Sequence, residues 1–112
     1  MNATIDGQLF EWDDAKNKIN KIKHGINFKT AAKVFSDPYH FTEFDYKHSG
    51  DEERWKVVGM VEDILVVIYT EREESTRLIS ARIAEEPDRR KYYEHRFLLF
   101  TEGCAVDGGG ES

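Results

Sequence analysis

Three runs of residues near the middle of the chain constrain its fold more than anything else in it. Arg54–Val61 (RWKVVGMV), Ile64–Thr70 (ILVVIYT) and Thr76–Ile83 (TRLISARI) are rich in β-branched and aromatic residues, the composition of strands that pack on a pleated surface. Only Glu62-Asp63 separates the first two, so they must fold back as a tight hairpin. Glu71–Ser75 joins the second pair, and the three predict an antiparallel meander. A sheet with one apolar face needs helices to cover it, and the flanking segments supply them.

The stretch FEWDDAKNKINKIKHGINF, Phe10 to Phe28, reads as a short strand over residues 8–12 followed by a helix. Asp13 or Asp14 can cap that helix, because a carboxylate there accepts the free amides of the first turn. Ala15, Ile19, Ile22 and Ile26 recur at helical spacing and predict an apolar stripe along it. Gly25 suits the position after the last turn, where positive φ is required. Asn27 can cap a second helix with Phe28, Ala31, Ala32 and Phe35 on one face, which Asp37-Pro38 ends. Residues 39–53 mix aromatics with acids and read as a loop or an irregular strand. Pro87 can open a C-terminal helix over Asp88–Phe100. Residues 101–112 (TEGCAVDGGGES) read as a flexible, Gly-rich acidic tail, leaving one domain over 1–100.

Charge is distributed in blocks. The net charge is -6, yet residues 14–35 carry six lysines against Asp14 alone, and residues 36–53 carry six acids against Lys47. A chain this acidic has no general affinity for a polyanion, so any such affinity must be local. The single cysteine, Cys104, excludes an internal disulfide, and no Cys/His spacing matches a metal site. Neither a signal peptide nor a run long enough to span a bilayer is present, which predicts a cytoplasmic protein. Phosphate-binding glycine loops and nucleophile elbows are absent too.

The cations that could carry chemistry fall into two groups. Lys16, Lys18, Lys21 and Lys23 stud the first helix, and His24 ends it. A histidine at a helix C-terminus has two readings: a protonated acid or phosphate contact favoured by the dipole, or a cap on the last carbonyls. Strand alternation places Arg54, Lys56, Val58 and Met60 on one face of the first strand. It places Thr76, Leu78, Ser80 and Arg82 together on the third, with Arg77, Ile79, Ala81 and Ile83 opposite. Arg72 follows the middle strand. Arg54, Arg72 and Arg82 could therefore ring a shallow groove, their planar forks suited to phosphate; ordinary surface ion pairing is the competing reading.

The motifs FEWDDAKNKINKIKHGINF, AAKVFSDP, HSGDEERW, VVIYTER and LISARIA, in this order and spacing, resemble the BrnT family of toxins from bacterial toxin–antitoxin pairs. The resemblance runs from Phe10 to about Tyr93. It implies an α+β, RelE-like fold: a twisted antiparallel sheet with helices packed on one side. It implies metal-independent RNA cleavage that arrests translation, with no cofactor. The implied partner is a BrnA-like antitoxin with a ribbon-helix-helix DNA-binding domain, in a two-plus-two complex that touches operator DNA only through the antitoxin. Carried over by motif, the implied catalytic residues are Lys23 and His24 of KHG, Arg54 of EERW, Arg72 of YTER and Arg82 of SAR, with Lys16, Lys18, Lys21 and Lys56 as further RNA contacts. The acidic excess and the Gly-rich tail depart from the family pattern. A second hypothesis is a non-catalytic partner or co-repressor module, whose acidic 36–53 segment docks a basic protein. A DNA-binding domain is a third, weakened by the lack of a helix with base-reading side chains.

Overall fold

The central three-stranded meander forms as predicted, but it sits inside a larger sheet. In a computed structural model, residues 1–47 and 49–111 are described, with side chains given through Phe100. The elements are β1 (Asn2–Ile5), β2 (Gln8–Glu11), α1 (Asp14–His24), α2 (Phe28–Ala31) running into a 3-10 turn (Ala32–Ser36), β3 (Phe41–Phe44), β4 (Trp55–Val61), β5 (Asp63–Glu71), β6 (Thr76–Ile83) and α3 (Glu86–Glu111). The tail predicted over 101–112 falls outside the residues described in full.

The six strands lie in the order β1-β2-β6-β5-β4-β3. The sheet is mixed, not antiparallel throughout, because β2 pairs parallel to β6 through Phe10↔Thr76 and Glu11↔Arg77. β2 and β6 are joined through α1, α2 and the strands β3 to β5, a long connection that permits the parallel pairing a tight hairpin cannot make. β1 pairs antiparallel with β2 across Asp6-Gly7, where φ is 50° and 83°. An Asp-Gly pair with both residues at positive φ is the favoured two-residue hairpin turn. The aromatic–acidic segment contributes β3, which pairs with β4 from Phe41↔Val58 to Phe44↔Trp55. The β4–β5 turn is tighter than a two-residue link, with Val61 opposite Asp63 and Glu62 alone at the tip with φ 66°.

Helices cover both faces of the sheet, where the resemblance implied one side. On the first face α2 and the 3-10 turn place Phe28, Ala31, Ala32 and Val34 against Phe10, Val57, Leu65, Val67 and Leu78. On the second, Tyr92 of α3 is fully buried with Val58, Ile64 and Val66. The second predicted helix is shortened to one α turn that tightens into 3-10 geometry. Asp37 then fastens this turn to the rest: its carboxylate accepts from the Tyr92 hydroxyl at 2.6 Å, the Met60 amide at 2.8 Å and the Tyr39 amide at 3.0 Å.

The 3-10 turn also presses on β4 at Gly59. A Cβ there would lie 2.9 Å from the Val34 carbonyl oxygen and 3.0 Å from the Val34 Cβ. Backbone and a β-branched side chain are the obstacles, and neither yields easily. Gly59→Ala is expected to lower stability by about 1–3 kcal/mol, the usual range for an overpacked core position; urea denaturation that shows no loss would contradict this contact.

Candidate functional site

Helix α1 forms where its caps predict and faces the opposite way from its predicted stripe. Asp13 accepts from the Lys16 amide at 3.0 Å. Gly25, at φ 72°, donates its N–H to the Lys21 carbonyl. The helix buries no isoleucine: Ile19 is 61% exposed and Ile22 80%. Its buried residue is Asn20, at 5%. The Asn20 side chain donates to the Ile26 carbonyl at 3.0 Å and accepts from the Ala81 amide at 3.0 Å. Asn17 adds a second polar tie, accepting from the Phe28 amide at 2.8 Å. Ile26 reaches the core from beyond the helix end, so the apolar period continues past Gly25 while the helix does not.

This orientation follows from an open stretch of strand. β2 covers β6 only at Thr76 and Arg77, so the Ala81 N–H would otherwise be an unpaired edge donor. Asn20 satisfies it. Nearby, β6 carries a bulge: Ile68 faces Ser80 while Tyr69 faces Leu78, and Ile79 has no partner. The extra residue resets the alternation, as bulges do. Leu78 therefore joins the first core, whereas Arg77, Ser80 and Arg82 share the second face. The predicted grouping of Thr76, Leu78, Ser80 and Arg82 is thus corrected, and Arg77 is gained. A Pro- and Gly-free strand such as TRLISARI carries no local mark of a bulge.

Lys16, Lys23 and His24 of α1 meet Ile79 and Ser80 of β6 around a recess of about 180 Å³. His24 is half-buried, and Lys18 and Lys21 are exposed on the same helix. None of the four α1 lysines forms a salt bridge among the described residues. Arg54, just ahead of β4, likewise has no carboxylate partner there; its amide donates to the Ser49 hydroxyl and its carbonyl accepts from the Asp45 amide.

The remaining predicted cations are paired. Arg72 lies 3.3 Å from Glu52 and 3.9 Å from Glu11, and Arg77 also reaches Glu11, at 3.5 Å. Lys56 contacts Asp88 at 2.8 Å and Glu43 at 3.2 Å. Arg82 contacts Asp88 at 3.5 Å. Asp88, in the first turn of α3, thus bridges β4 and β6 over the intervening β5. Burial disfavours the Lys56 ammonium, but Asp88 and then Glu43 outweigh it and raise its pKa above the ordinary 10.5. Burial likewise works against the Glu43 carboxylate, yet hydrogen bonds from Lys91 and Lys56 hold its pKa below the ordinary 4.5. Asn20, Arg77, Ser80 and Asp88 were not singled out by sequence reasoning. A charge pattern does not reveal a polar residue that replaces an apolar one at a helix–strand contact.

The fold and the free cations on one helix define a small α+β protein with a basic edge suited to a polyanion. Its architecture is similar to the 1.1 Å crystal structure of the Brucella abortus ribonuclease toxin BrnT, with a TM-score of 0.51, 23% identity, and coverage of 69% of this chain and 96% of that one. No curated protein matches the chain. Residues 12–88 match the family model described as ribonuclease toxin, BrnT, of type II toxin-antitoxin system, and the chain belongs to that family. Among the described residues no helix is long and apolar enough to cross a membrane.

Two outcomes follow from this geometry. Asn20→Leu strands the Ala81 amide and the Ile26 carbonyl, each worth about 1–3 kcal/mol when buried without a partner; thermal melting should show the loss. Glu43 has a depressed pKa in the fold, so its contribution is present above pH 4.5 and fades as pH falls through the folded value. The melting-temperature gap between the wild type and Glu43→Gln should therefore close below that pH. A gap that persists in acid would mean the carboxylate acts by packing and not by charge.

Proposed function

We propose that the chain is a RelE-like, metal-independent endoribonuclease whose cutting of RNA arrests translation in the cytoplasm. The observation that carries this reading is the cationic row on α1, without salt bridges among the described residues and ending in Lys23 and His24 at the open stretch of β6, in a chain of the BrnT family. RNA supplies its own nucleophile. The ribose 2′-OH attacks the adjacent phosphorus, the bond to the 5′-oxygen breaks, and the products are a 2′,3′-cyclic phosphate and a 5′-OH end. The protein must hold the strand, move protons and stabilise the anionic phosphorane.

In this scheme Lys16, Lys18 and Lys21 steer the backbone and Lys23 neutralises the reacting phosphate. His24 transfers a proton. Arg54 offers an unpaired guanidinium to the phosphorane. Arg72, Arg82 and Lys56 take part only by exchanging a carboxylate for a phosphate. The partner is a BrnA-like antitoxin with a ribbon-helix-helix domain, in a two-plus-two complex that meets operator DNA through the antitoxin. The pairing of those three sheet cations favours a second reading, a non-catalytic module that binds the antitoxin and cuts nothing.

Purified protein incubated with RNA in excess chelator separates the two. Cleavage should persist with EDTA and leave cyclic-phosphate ends. His24→Ala should slow it about 10²–10⁴-fold, the usual worth of a proton-transfer group. Intact RNA with a folded wild-type protein would select the non-catalytic reading. Loss of cleavage with EDTA would overturn metal independence alone.

A further inference from the structure

The outward crest of α1 is apolar. Ala15, Ile19 and Ile22, at i, i+4 and i+7, are all exposed, because Asn20 and Asn17 turn the other side of the helix to the body. Residues at this spacing form one stripe. Helical geometry puts Lys16 and Lys23 on one flank of it and Lys18 on the other. None of these lysines is salt-bridged among the described residues. The flank carrying Lys16 and Lys23 is also the rim of the recess that holds His24 and Ser80.

We propose that this crest is where the antitoxin docks, through an acidic amphipathic segment. The inference rests on the toxin–antitoxin reading above and assigns a surface to it. Apolar residues of the segment would cover Ile19 and Ile22, and its carboxylates would meet Lys16, Lys18 and Lys23. Charge complementarity selects this occupant. RNA satisfies the lysines but leaves the isoleucines in water, and a second copy of the chain would set lysine against lysine. Docking there closes the recess to RNA, so neutralisation follows from occupancy with no change in the toxin's fold. The exposed face of α3, with Tyr93 and Phe97 beside Arg89, Arg90, Glu86 and Glu94, carries both signs of charge and selects no such partner. It serves as the control.

The test measures binding of the full chain to the protein encoded by the neighbouring reading frame, by calorimetry, with RNA cleavage followed in parallel. The wild type should bind, the complex should not cut, and the affinity should fall with added salt. Ile22→Asp, at a position 80% exposed, should keep the wild-type melting temperature, weaken binding about tenfold or more, and restore cutting in the mixture. Phe97→Ser should bind like the wild type. Unchanged affinity in both Ile19→Asp and Ile22→Asp, or a loss confined to Phe97→Ser, overturns the docking face while leaving the toxin–antitoxin pairing intact. Self-association of the free wild type that Ile22→Asp abolishes would assign the crest to a second copy and overturn the proposal. Absence of binding by the wild type overturns the pairing itself.

Discussion

One carboxamide, that of Asn20, spans the junction between α1 and β6, and the direction the whole helix faces depends on it. An amide side chain donates and accepts at once, so it can serve a strand N–H and a loop carbonyl together, which no aliphatic residue can do. The alternative, rolling α1 inward on Ile19 and Ile22, would bury more apolar surface but leave the Ala81 amide unpaired where β2 no longer covers β6. Burial of two isoleucines is worth about 1.5–3 kcal/mol each, against about 1–3 kcal/mol for each stranded polar group and the loss of the Asn17 tie. The terms are close, and the polar arrangement is the one the fold adopts. Lys23 and His24 are brought to the recess as a result.

The sequence carried much of this fold in readable form and left out two features for definite reasons. Caps at Asp13, Gly25 and Asn27 and the β4–β6 meander depend on local backbone chemistry, which residue identity reports directly. The Asp6-Gly7 turn is equally local, an Asp-Gly pair just ahead of the strand predicted over residues 8–12. Bulge and helix orientation are different in kind. Each is decided by a contact between distant segments, Ile68 with Ser80 and Asn20 with Ala81, and neither leaves a local periodic trace. Of the predicted stripe Ala15, Ile19, Ile22 and Ile26, the three residues within the helix face solvent and Ile26 beyond it is buried, because periodicity marks a stripe and not the direction it faces.

The candidate site divides along the same line. Residue types and motif order were enough to pick out the α1 cations and the sheet arginines. Pairing state was not legible, because Glu43 meets Lys56 only through the register of β3 on β4, and Asp88 reaches Lys56 and Arg82 only when α3 packs across the sheet. An ion pair that clips a helix to a strand keeps its cation in place and lowers its availability. Lys56 and Arg82 are thereby drawn toward structural work, whereas Lys16, Lys23 and Arg54, with no salt bridge among the described residues, are available to a ligand.

An acidic chain that meets a polyanion faces a conflict that the block arrangement reduces. Coulomb interactions between exposed charges are screened over about 8–10 Å at physiological ionic strength, so an approaching phosphate senses the nearest few side chains and not the net charge of -6. The α1 lysines stand together without salt bridges among the described residues, while Glu11, Glu43, Glu52 and Asp88 are engaged by cations on the sheet and at its strand ends. Acid is thus largely neutralised where it adjoins the sheet arginines, and base is left free on the helix. The same separation makes the crest of α1 attractive to an acidic segment, so the surface proposed to draw RNA is also the one a protein inhibitor would occupy. A chain of 112 residues has little interior to spare for a separate regulatory site, and in the proposed scheme one helix bearing both an apolar stripe and its lysine flanks would serve substrate and inhibitor in turn.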